Sequence, residues 1–539
     1  MLKIALFHGY ELTGSGSNEY TRYLARALAD TGQEVHVICR EPHPGDVDGV
    51  AAAVAWNPDG SHEVLFGTPG GPGSIIMHQL PHARVRPVYV TDKLREGNVK
   101  AFTDLTDAEL AEVRTVARES LRRVLTAFPV DILHANHTVL QPTIAADVCP
   151  SMGIPFVIYP HGSDIEYTIR QDRRFYQLAG EALTAAAGVI TGSREMLDRL
   201  LSLYPEMEDS LRAKWSLVGV GVDVSRFVPI AHERRRNAIE ALVATQPGGG
   251  RTPQEAADLF QRLALEGVAA LESSAHFAPE LPDDDVVSRL EAVSWENDQI
   301  VVFVGALTVG KGVQGLIAAL PYVLQRAPDT QLIIVGSGRY RDVLEALVFA
   351  IATADEALLD ELVARGNDLD HGPAVGGWTD VADYLADPEH RRLVLSAGAD
   401  FVEHVYFTGR LDHTRLNLLF GCADLAVFPS VLPEAYPLVL MESLAIGVLP
   451  CASDLTGLGE GLRDLEPELG SSLVDRLRLP IDPAVRVAGI GQQIASLLVD
   501  PQLHGQTDTL RRIAVERYDW DVRAVQMLEA YERAIDRSA

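Results

Sequence analysis

Cysteine is scarce. Cys39, Cys149, Cys422 and Cys451 are the only four, far apart in the chain and none at metal-ligand spacing from another. The chain is therefore not built on a disulfide framework or a cysteine-bound metal, and the four thiols read as buried groups of a reducing, cytoplasmic compartment. Positive charge is also in deficit: 46 Lys and Arg stand against 75 Asp and Glu, a formal charge of −29. That balance argues against a nucleic-acid partner and against adhesion to anionic membrane by bulk electrostatics, though a local basic patch can still hold a phosphate. Long apolar runs are missing, since no window reaches the roughly 18 apolar residues of a membrane span. The opening "MLKIALFHGY" reads as a first buried strand rather than a secretory leader, because its apolar run is short and no small-residue cleavage site follows.

With 539 residues the chain can bury two or three cores, and no low-complexity block interrupts its 44 Gly and 30 Pro. "KIALFHG" reads as a strand, "YELTGSGSN" as a loop, "EYTRYLARALADTG" as a helix and "EVHVIC" as the next strand. Similar units recur at "PVDILHAN", "IPFVIYPHGSD", "AAGVITGSREMLDRLL" and "WSLVGVGVDVSRFVP", which close a first doubly wound domain over 1–225. Residues 226–298 break the pattern and are expected to form a partly helical linker or insertion, with a proline and aspartate cluster at "APELPDDD". The pattern restarts at Gln299 with "QIVVFVGAL" and "TQLIIVGSG", giving a second doubly wound domain over 299–515. An insertion at 342–399, containing "DHGPAVGGWTD", is expected to supply a lid, an oligomer contact or plain surface decoration. Residues 516–539 have helical periodicity and are expected to pack back toward the first domain.

Ligands of open parallel sheets bind beyond the carboxyl ends of the strands, so polar residues there carry the most weight. Gly14, Ser15, Gly16 and Ser17 directly precede a helix, where glycine lets backbone approach a ligand and free amides suit a phosphate or sugar hydroxyl. The loop matches neither the dinucleotide fingerprint nor the nucleotide phosphate loop. His161 and Asp164 follow a strand in "YPHGSD", a hydroxyl partner and a carboxylate that supports positive charge. His134 and His137 end another strand, where they are expected to shape the floor between the domains. Lys311 lies between glycines in "GALTVGKG", placed for a diphosphate. Finally, "FPSVLPEAYPLVLMESLAIG" puts Glu434 before a helix and Glu442 within it, two turns apart. A glutamate on an apolar helix face needs strong donors, which sugar hydroxyls, backbone amides or an arginine all supply.

In order and spacing, the glycine loop, "HGSD", "VGVGVDVSRFVP", "VGALTVGKGVQGLI", "VYFTGRL", "ADLAVFPS", "EAYPLVLME" and the segment around Trp520 resemble the retaining glycosyltransferases of the GT-B fold, glycosyltransferase family 4. That family includes sucrose synthases and lipid mannosyltransferases, and the resemblance covers nearly the whole chain. It implies two facing Rossmann-like domains with helical insertions, a nucleoside diphosphate sugar held mainly by the second and a hydroxyl acceptor mainly by the first. Carried over, Glu434 contacts the donor sugar, Glu442 the ribose, Lys311 the diphosphate, and the 14–17 amides lie near the diphosphate and the acceptor. His161 lies beside the reacting sugar. The resemblance implies no metal and no cofactor beyond the donor substrate, and front-face attack without a dedicated base.

One departure stands out: the family's arginine before the lysine is Ala306 here. Loss of one such donor costs about 3 kcal/mol of leaving-group stabilisation, and Arg339 and Arg410 are the candidate replacements. The expected activity is hexose transfer to a small soluble acceptor by a cytoplasmic enzyme, possible as a homo-oligomer and lacking any integral membrane segment. The alternative is a noncatalytic, regulatory protein that binds nucleotide sugars. A hydrolase or epimerase fits the glutamate spacing less well.

Overall fold

Short runs of branched apolar residues that alternate with amphipathic stretches can bury both faces of a strand only in a parallel sheet covered by helices. The computed structural model describes residues 1–12, 14–81, 83–89, 98–245, 248–272, 281–370, 376–435 and 437–538. They group into two units: Met1–Asp223 with Ala435–Leu438 and Glu516–Ala539, and Val224–Glu434 with Val439–Val515. The stretches 90–97 of the basic segment, 278–280 of the proline and aspartate cluster, 371–375 of the histidine and glycine loop, and Tyr436 lie outside the described residues.

The first unit contains β1 (Lys3–Phe7), β2 (Glu34–Cys39), β3 (Val50–Trp56), β4 (His62–Phe66), β5 (Ile75–Gln79), β6 (Arg86–Val88), β7 (Val99–Ala101), β8 (Ile132–Asn136), β9 (Phe156–Tyr159), β10 (Gly188–Thr191) and β11 (Trp215–Leu217). Among the described residues, one sheet runs β11-β10-β9-β8-β1-β2-β5-β3-β4, while β6 and β7 pair separately. Every pairing in the large sheet is parallel apart from β3 with β4. From β1 the chain moves outward through β2 and later returns to β8 on the other side, so the loops after β1 and β8 diverge from adjacent strands. The terminal helix Trp520–Ser538 packs on the Gly16–Asp30 helix, where Tyr23 and Trp520 stack with centroids 6.0 Å apart. Gly221 makes room for it, because a Cβ there would overlap the Trp520 ring.

The second unit contains β12 (Gln299–Val304), β13 (Thr330–Val335), β14 (Val405–Gly409), β15 (Leu425–Phe428), β16 (Leu449–Ser453) and β17 (Arg478–Leu479). They form one parallel sheet in the order β14-β13-β12-β15-β16-β17, with the reversal of direction between β12 and β15. Residues 226–298, expected as a linker or insertion, belong to this unit and carry the helices Arg235–Val243, Pro253–Glu266 and Val286–Ala292.

Their last part covers an open sheet edge. Asp283 N donates to Thr408 O at 3.0 Å and Arg410 N donates to Leu281 O at 3.2 Å, so segment 281–283 runs along β14. An uncovered edge strand is a template for unwanted pairing, and this contact removes it. Asp283 is pinned in turn by Arg341, whose two terminal nitrogens donate to its carboxylate oxygens at 2.6 Å each. Both side chains are buried, and Glu345 accepts from Arg341 Nε at 2.9 Å. The 342–399 insertion forms the helices Arg341–Thr353, Glu356–Arg365, Thr379–Ala386 and Pro388–Leu395. The last two pack against the sheet-covering helices Val313–Leu324 and Pro483–Leu498.

Removing one partner of a buried ion pair leaves a charge without its counter-charge. Asp283→Ala is expected to cost about 3 kcal/mol, the low end for such a loss because Glu345 remains beside Arg341. Pairing it with Arg341→Met should recover most of that loss. Urea unfolding of the two variants checks this, and a single variant within about 0.5 kcal/mol of wild type would show the pin to be idle.

Candidate functional site

In each unit the point where strand order reverses is also where polar side chains gather. In the second unit, β12 ends at Val304 and the chain passes through Gly305 and an exposed Ala306 into the turn Val309–Lys311. Gly312 follows with φ of 72°, and a Cβ there would overlap the Pro429 carbonyl oxygen, so the lysine loop lies directly on the turn leaving β15. Val431 N donates to Gly310 O at 2.9 Å and ties the two loops together.

On this frame the Lys311 ammonium forms an ion pair with Glu434 Oε1. Ser430 Oγ donates to the same oxygen at 2.9 Å. The Glu434 backbone is held as well: its N donates to Thr456 Oγ1 at 2.9 Å, while Thr456 Oγ1 and Gly457 N donate to its carbonyl at 2.9 and 3.0 Å. A cation, a hydroxyl and a half-buried carboxylate therefore converge at the crevice beyond β12 and β15, as the doubly wound topology dictates. Glu442 is buried in the Leu438–Ile446 helix, with His413 Nε2 3.6 Å from its Oε1. His413 heads the His413–Phe420 helix behind the Asp412 cap.

The two replacement arginines sit differently. The Gly336 to Gly338 loop presses on the 305–307 backbone, and Arg339 beyond it is buried with Nε 3.2 Å from Asp370 Oδ1. Arg410 follows β14 and is partly exposed, its backbone amide engaged by Leu281.

In the first unit, Ser15 caps the Gly16–Asp30 helix by accepting from Asn18 N at 3.4 Å, while Gly14 has φ of 95°. Ser17 and Gly14 are half-buried, and Ser15 and Gly16 are exposed. From this helix a hydrogen-bond chain reaches His161. Thr21 Oγ1 donates to Ser17 O at 2.8 Å, so it accepts from Asn136 Nδ2 at 3.2 Å. That orientation turns Asn136 Oδ1 toward His161 Nε2, 2.7 Å away, which must then carry the proton. The Nδ1 lone pair of His161 is left as an acceptor. Burial first, then the neighbouring His137, His8 and His134 rings, hold this imidazole well below its ordinary value and therefore neutral.

Asp164 is fully buried. Burial raises its carboxyl, but the neighbouring His137 and the Thr138 amide outweigh that and bring it below the usual carboxylate range. Its Oδ2 accepts from Thr138 N, and its Oδ1 lies 3.8 Å from His137 Nδ1, too far for a direct hydrogen bond. His137 has φ of 69°, uncommon for a residue with a Cβ, and its ring packs 4.6 Å from Tyr89 and 4.7 Å from His161. Both His137 ring nitrogens, His8 Nδ1, Thr138 Oγ1, Gln141 Oε1 and Asp164 Oδ1 are buried without a hydrogen-bond partner among the described residues. Orphaned polar atoms in such number are costly unless hydroxyls or water complete them. His134 Nδ1 lies 2.7 Å from Tyr531 OH, while its Nε2 is one more buried nitrogen without a partner among the described residues.

Sequence reasoning singled out Lys311, Glu434, Glu442, His161 and Asp164, and the structure joins the first two directly and the last two through a shared cluster. It missed Ser430, Thr456, Asn136, Thr138, Gln141 and His413. For Ser430, Asn136, Thr138 and Gln141 the available signal was their position at or just past the strands that flank each reversal, which strand order alone reveals; Thr456 and His413 follow β16 and β14 and carried no such signal. Among the described residues no cluster of His, Cys, Asp and Glu could hold a metal ion, and no helix is long and apolar enough to cross a membrane.

The chain matches two family models, the "Glycosyl transferase 4-like domain" over residues 15–209 and "Glycosyl transferases group 1" over 289–356 and 384–476. It is 27% identical over 223 residues to a phosphatidyl-myo-inositol mannosyltransferase of Mycobacterium tuberculosis, 41% of this chain and 43% of that protein. The match thus spans less than half the length of this curated relative. Among solved structures it resembles sucrose-phosphate synthase from Thermosynechococcus elongatus, with TM-score 0.56 and 18% identity over 99% of this chain and 98% of the other. It also resembles Anabaena HepE solved with UDP-glucose, with TM-score 0.51 and 15% identity over 98% and 99%.

The buried histidines carry a pH signature. Burial pushes His8 and His134 down to about 3, with His137 adding to the effect at His8. The unfolded chain takes up protons below about 6.5 that the folded chain refuses, so stability present above that pH is lost progressively on acidification. Each of the two rings contributes a loss of up to about 1.4 kcal/mol per pH unit. Urea unfolding at pH values from 7 to 5 reads this out, and imidazole signals of His8 and His134 titrating near 6.5 in NMR would contradict it.

Proposed function

The chain belongs to the glycosyltransferases of family 4 with the GT-B fold, and we propose that it is a retaining enzyme moving a hexose from a nucleoside diphosphate sugar to a hydroxyl of a small, soluble acceptor. The observation that carries this reading is the convergence of Lys311, Ser430 and Glu434 at the β12–β15 reversal. An ammonium complements the diphosphate, whose charge grows as the glycosidic bond breaks, and a carboxylate beside a hydroxyl grips vicinal sugar hydroxyls. Glu442, buried in its helix, is the partner for the ribose hydroxyls in this reading.

The acceptor is assigned to the first unit, where the orphaned atoms of His137, Thr138, Gln141 and Asp164 form a mixed donor and acceptor set suited to a polyhydroxylated molecule. The neutral His161 offers its Nδ1 to a hydroxyl, and the leaving phosphate takes the acceptor's proton, so no separate base is assigned. The reaction needs no metal in this proposal, since Lys311 and helix amides supply the positive field, and the enzyme works in the cytoplasm. Arg410 remains the candidate second cation, because Arg339 is committed to Asp370.

A second reading, a nucleotide-sugar-binding protein without transfer, draws on the exposed Ala306 and on that Arg339–Asp370 pair. A screen of UDP-, GDP- and ADP-sugars against small polyols, with NMR of the product anomer, separates the two. The transferase reading expects turnover with the donor's anomeric configuration kept, and losses of about 100- to 1,000-fold for Lys311→Ala and Glu434→Ala. Donor binding without product supports the second reading, and turnover untouched by both substitutions sinks the residue assignment.

A further inference from the structure

An arginine stands behind the donor site where the core is otherwise apolar. Arg486 lies in the first turn of the Pro483–Leu498 helix and is buried. Its Nη2 donates to the carbonyl oxygens of Pro429 and Ser430, both at 2.7 Å, and to Ser453 Oγ at 3.0 Å. Its Nε is 3.5 Å from Asp380 Oδ2 in the inserted helix Thr379–Ala386. Burial lowers the Arg486 guanidinium while Asp380 opposes that, and burial raises the Asp380 carboxyl while Arg486 opposes it. Burial is the larger effect at both groups, and the two meet as an ion contact without a hydrogen bond.

The carbonyls gripped by Arg486 belong to the pivot of the site. Ser430 places its hydroxyl on Glu434 Oε1, and the Pro429 carbonyl is the surface on which Gly312, next to Lys311, rests. Ser453 ends β16, the neighbour of β15. One guanidinium thus ties together the turn that orients both the anion-binding lysine and the hydroxyl-binding glutamate.

We propose that Arg486 is a positioning residue for nucleotide-sugar binding and that Asp380 holds it there, so that the 342–399 insertion sets donor affinity through this pair. The inference rests on the donor reading of Lys311 and Glu434. A guanidinium that served only to satisfy strand-end carbonyls would change stability and the active fraction alone. A positioning guanidinium changes the donor's KM and leaves the acceptor's KM where it was.

The test compares Arg486→Ala, Arg486→Lys, Asp380→Asn and Ser430→Ala with wild type, by steady-state kinetics and by calorimetric binding of the donor identified in the screen. Donor KM is expected to rise about tenfold or more in Arg486→Ala, the scale of one or two lost hydrogen bonds, and about fivefold in Asp380→Asn, which removes the ion contact; Ser430→Ala, which removes the hydroxyl on Glu434, reports on the donor reading and rises about fivefold. Acceptor KM should stay within about twofold, and Arg486→Lys should recover part of the loss because its ammonium keeps a donor but not the planar fork. Adding Asp380→Asn to Arg486→Ala should change little further, as the two act along one path. If Arg486→Ala does not fold, Asp380→Asn carries the test. Wild-type donor binding together with an unchanged donor KM in that variant, or a fall in kcat alone, overturns the inference and leaves the transferase reading standing. A wild-type protein that binds no nucleotide sugar overturns both.

Discussion

The parallel pairing of β12 with β15 is the constraint on which the second unit's chemistry depends. These strands are neighbours in the sheet yet separated by more than a hundred residues, so their outgoing loops lie side by side with no crossover helix between them. Close backbone approach at Gly312 and the Val431–Gly310 hydrogen bond lock those loops together, and only then do Lys311 and Glu434 meet. The same arrangement operates in the first unit at β1 and β8, where it gathers His8, Asn136 and His137. A doubly wound sheet gives a crevice through strand order alone; the few polar residues that border it then supply the chemistry.

The two sites differ in electrostatic character. In the second unit the charges are half-exposed and paired, an arrangement that a polyanionic ligand can enter by exchanging partners with Lys311. In the first unit burial holds His8, His134 and His161 below their ordinary values while Asp164 lies below the usual carboxylate range, so the cluster sets neutral rings beside a buried carboxylate. Such a lining suits hydroxyls better than phosphates. The chain's overall acidity agrees with a design in which positive charge is placed singly, at Lys311 and behind it at Arg486, rather than spread over a basic face.

Much of the fold was legible because apolar runs of the β12 and β13 kind, "QIVVFV" and "TQLIIV", have no other stable fate than a buried parallel strand. The alanine-rich β3, with its antiparallel partner β4, carried no comparable signal, since alanine favours helix and its burial here comes from neighbouring strands. Residues 226–298 looked like a linker because their helices are short and broken by glycine. Their role as cover for the β14 edge depends on Asp283 and Arg341, which are 58 positions apart and meet only in the folded chain.

Local sequence was enough to set the strand–loop–helix grammar, the glycines that permit close loop approach, Lys311, Glu434, His161 and Asp164 as residues in the loops beyond strands, and Glu442 as a carboxylate inside the following helix. These follow from local periodicity and backbone sterics, which act over a few residues. Only the folded chain shows which of them share a site, that Thr456 holds Glu434, that Asn136 sets the tautomer of His161, that Arg339 turns to Asp370, and that Arg486 stands behind the turn leaving β15. Those outcomes depend on strand order and on the burial of polar atoms, and both are set by contacts between residues too far apart in the chain for any local pattern to encode.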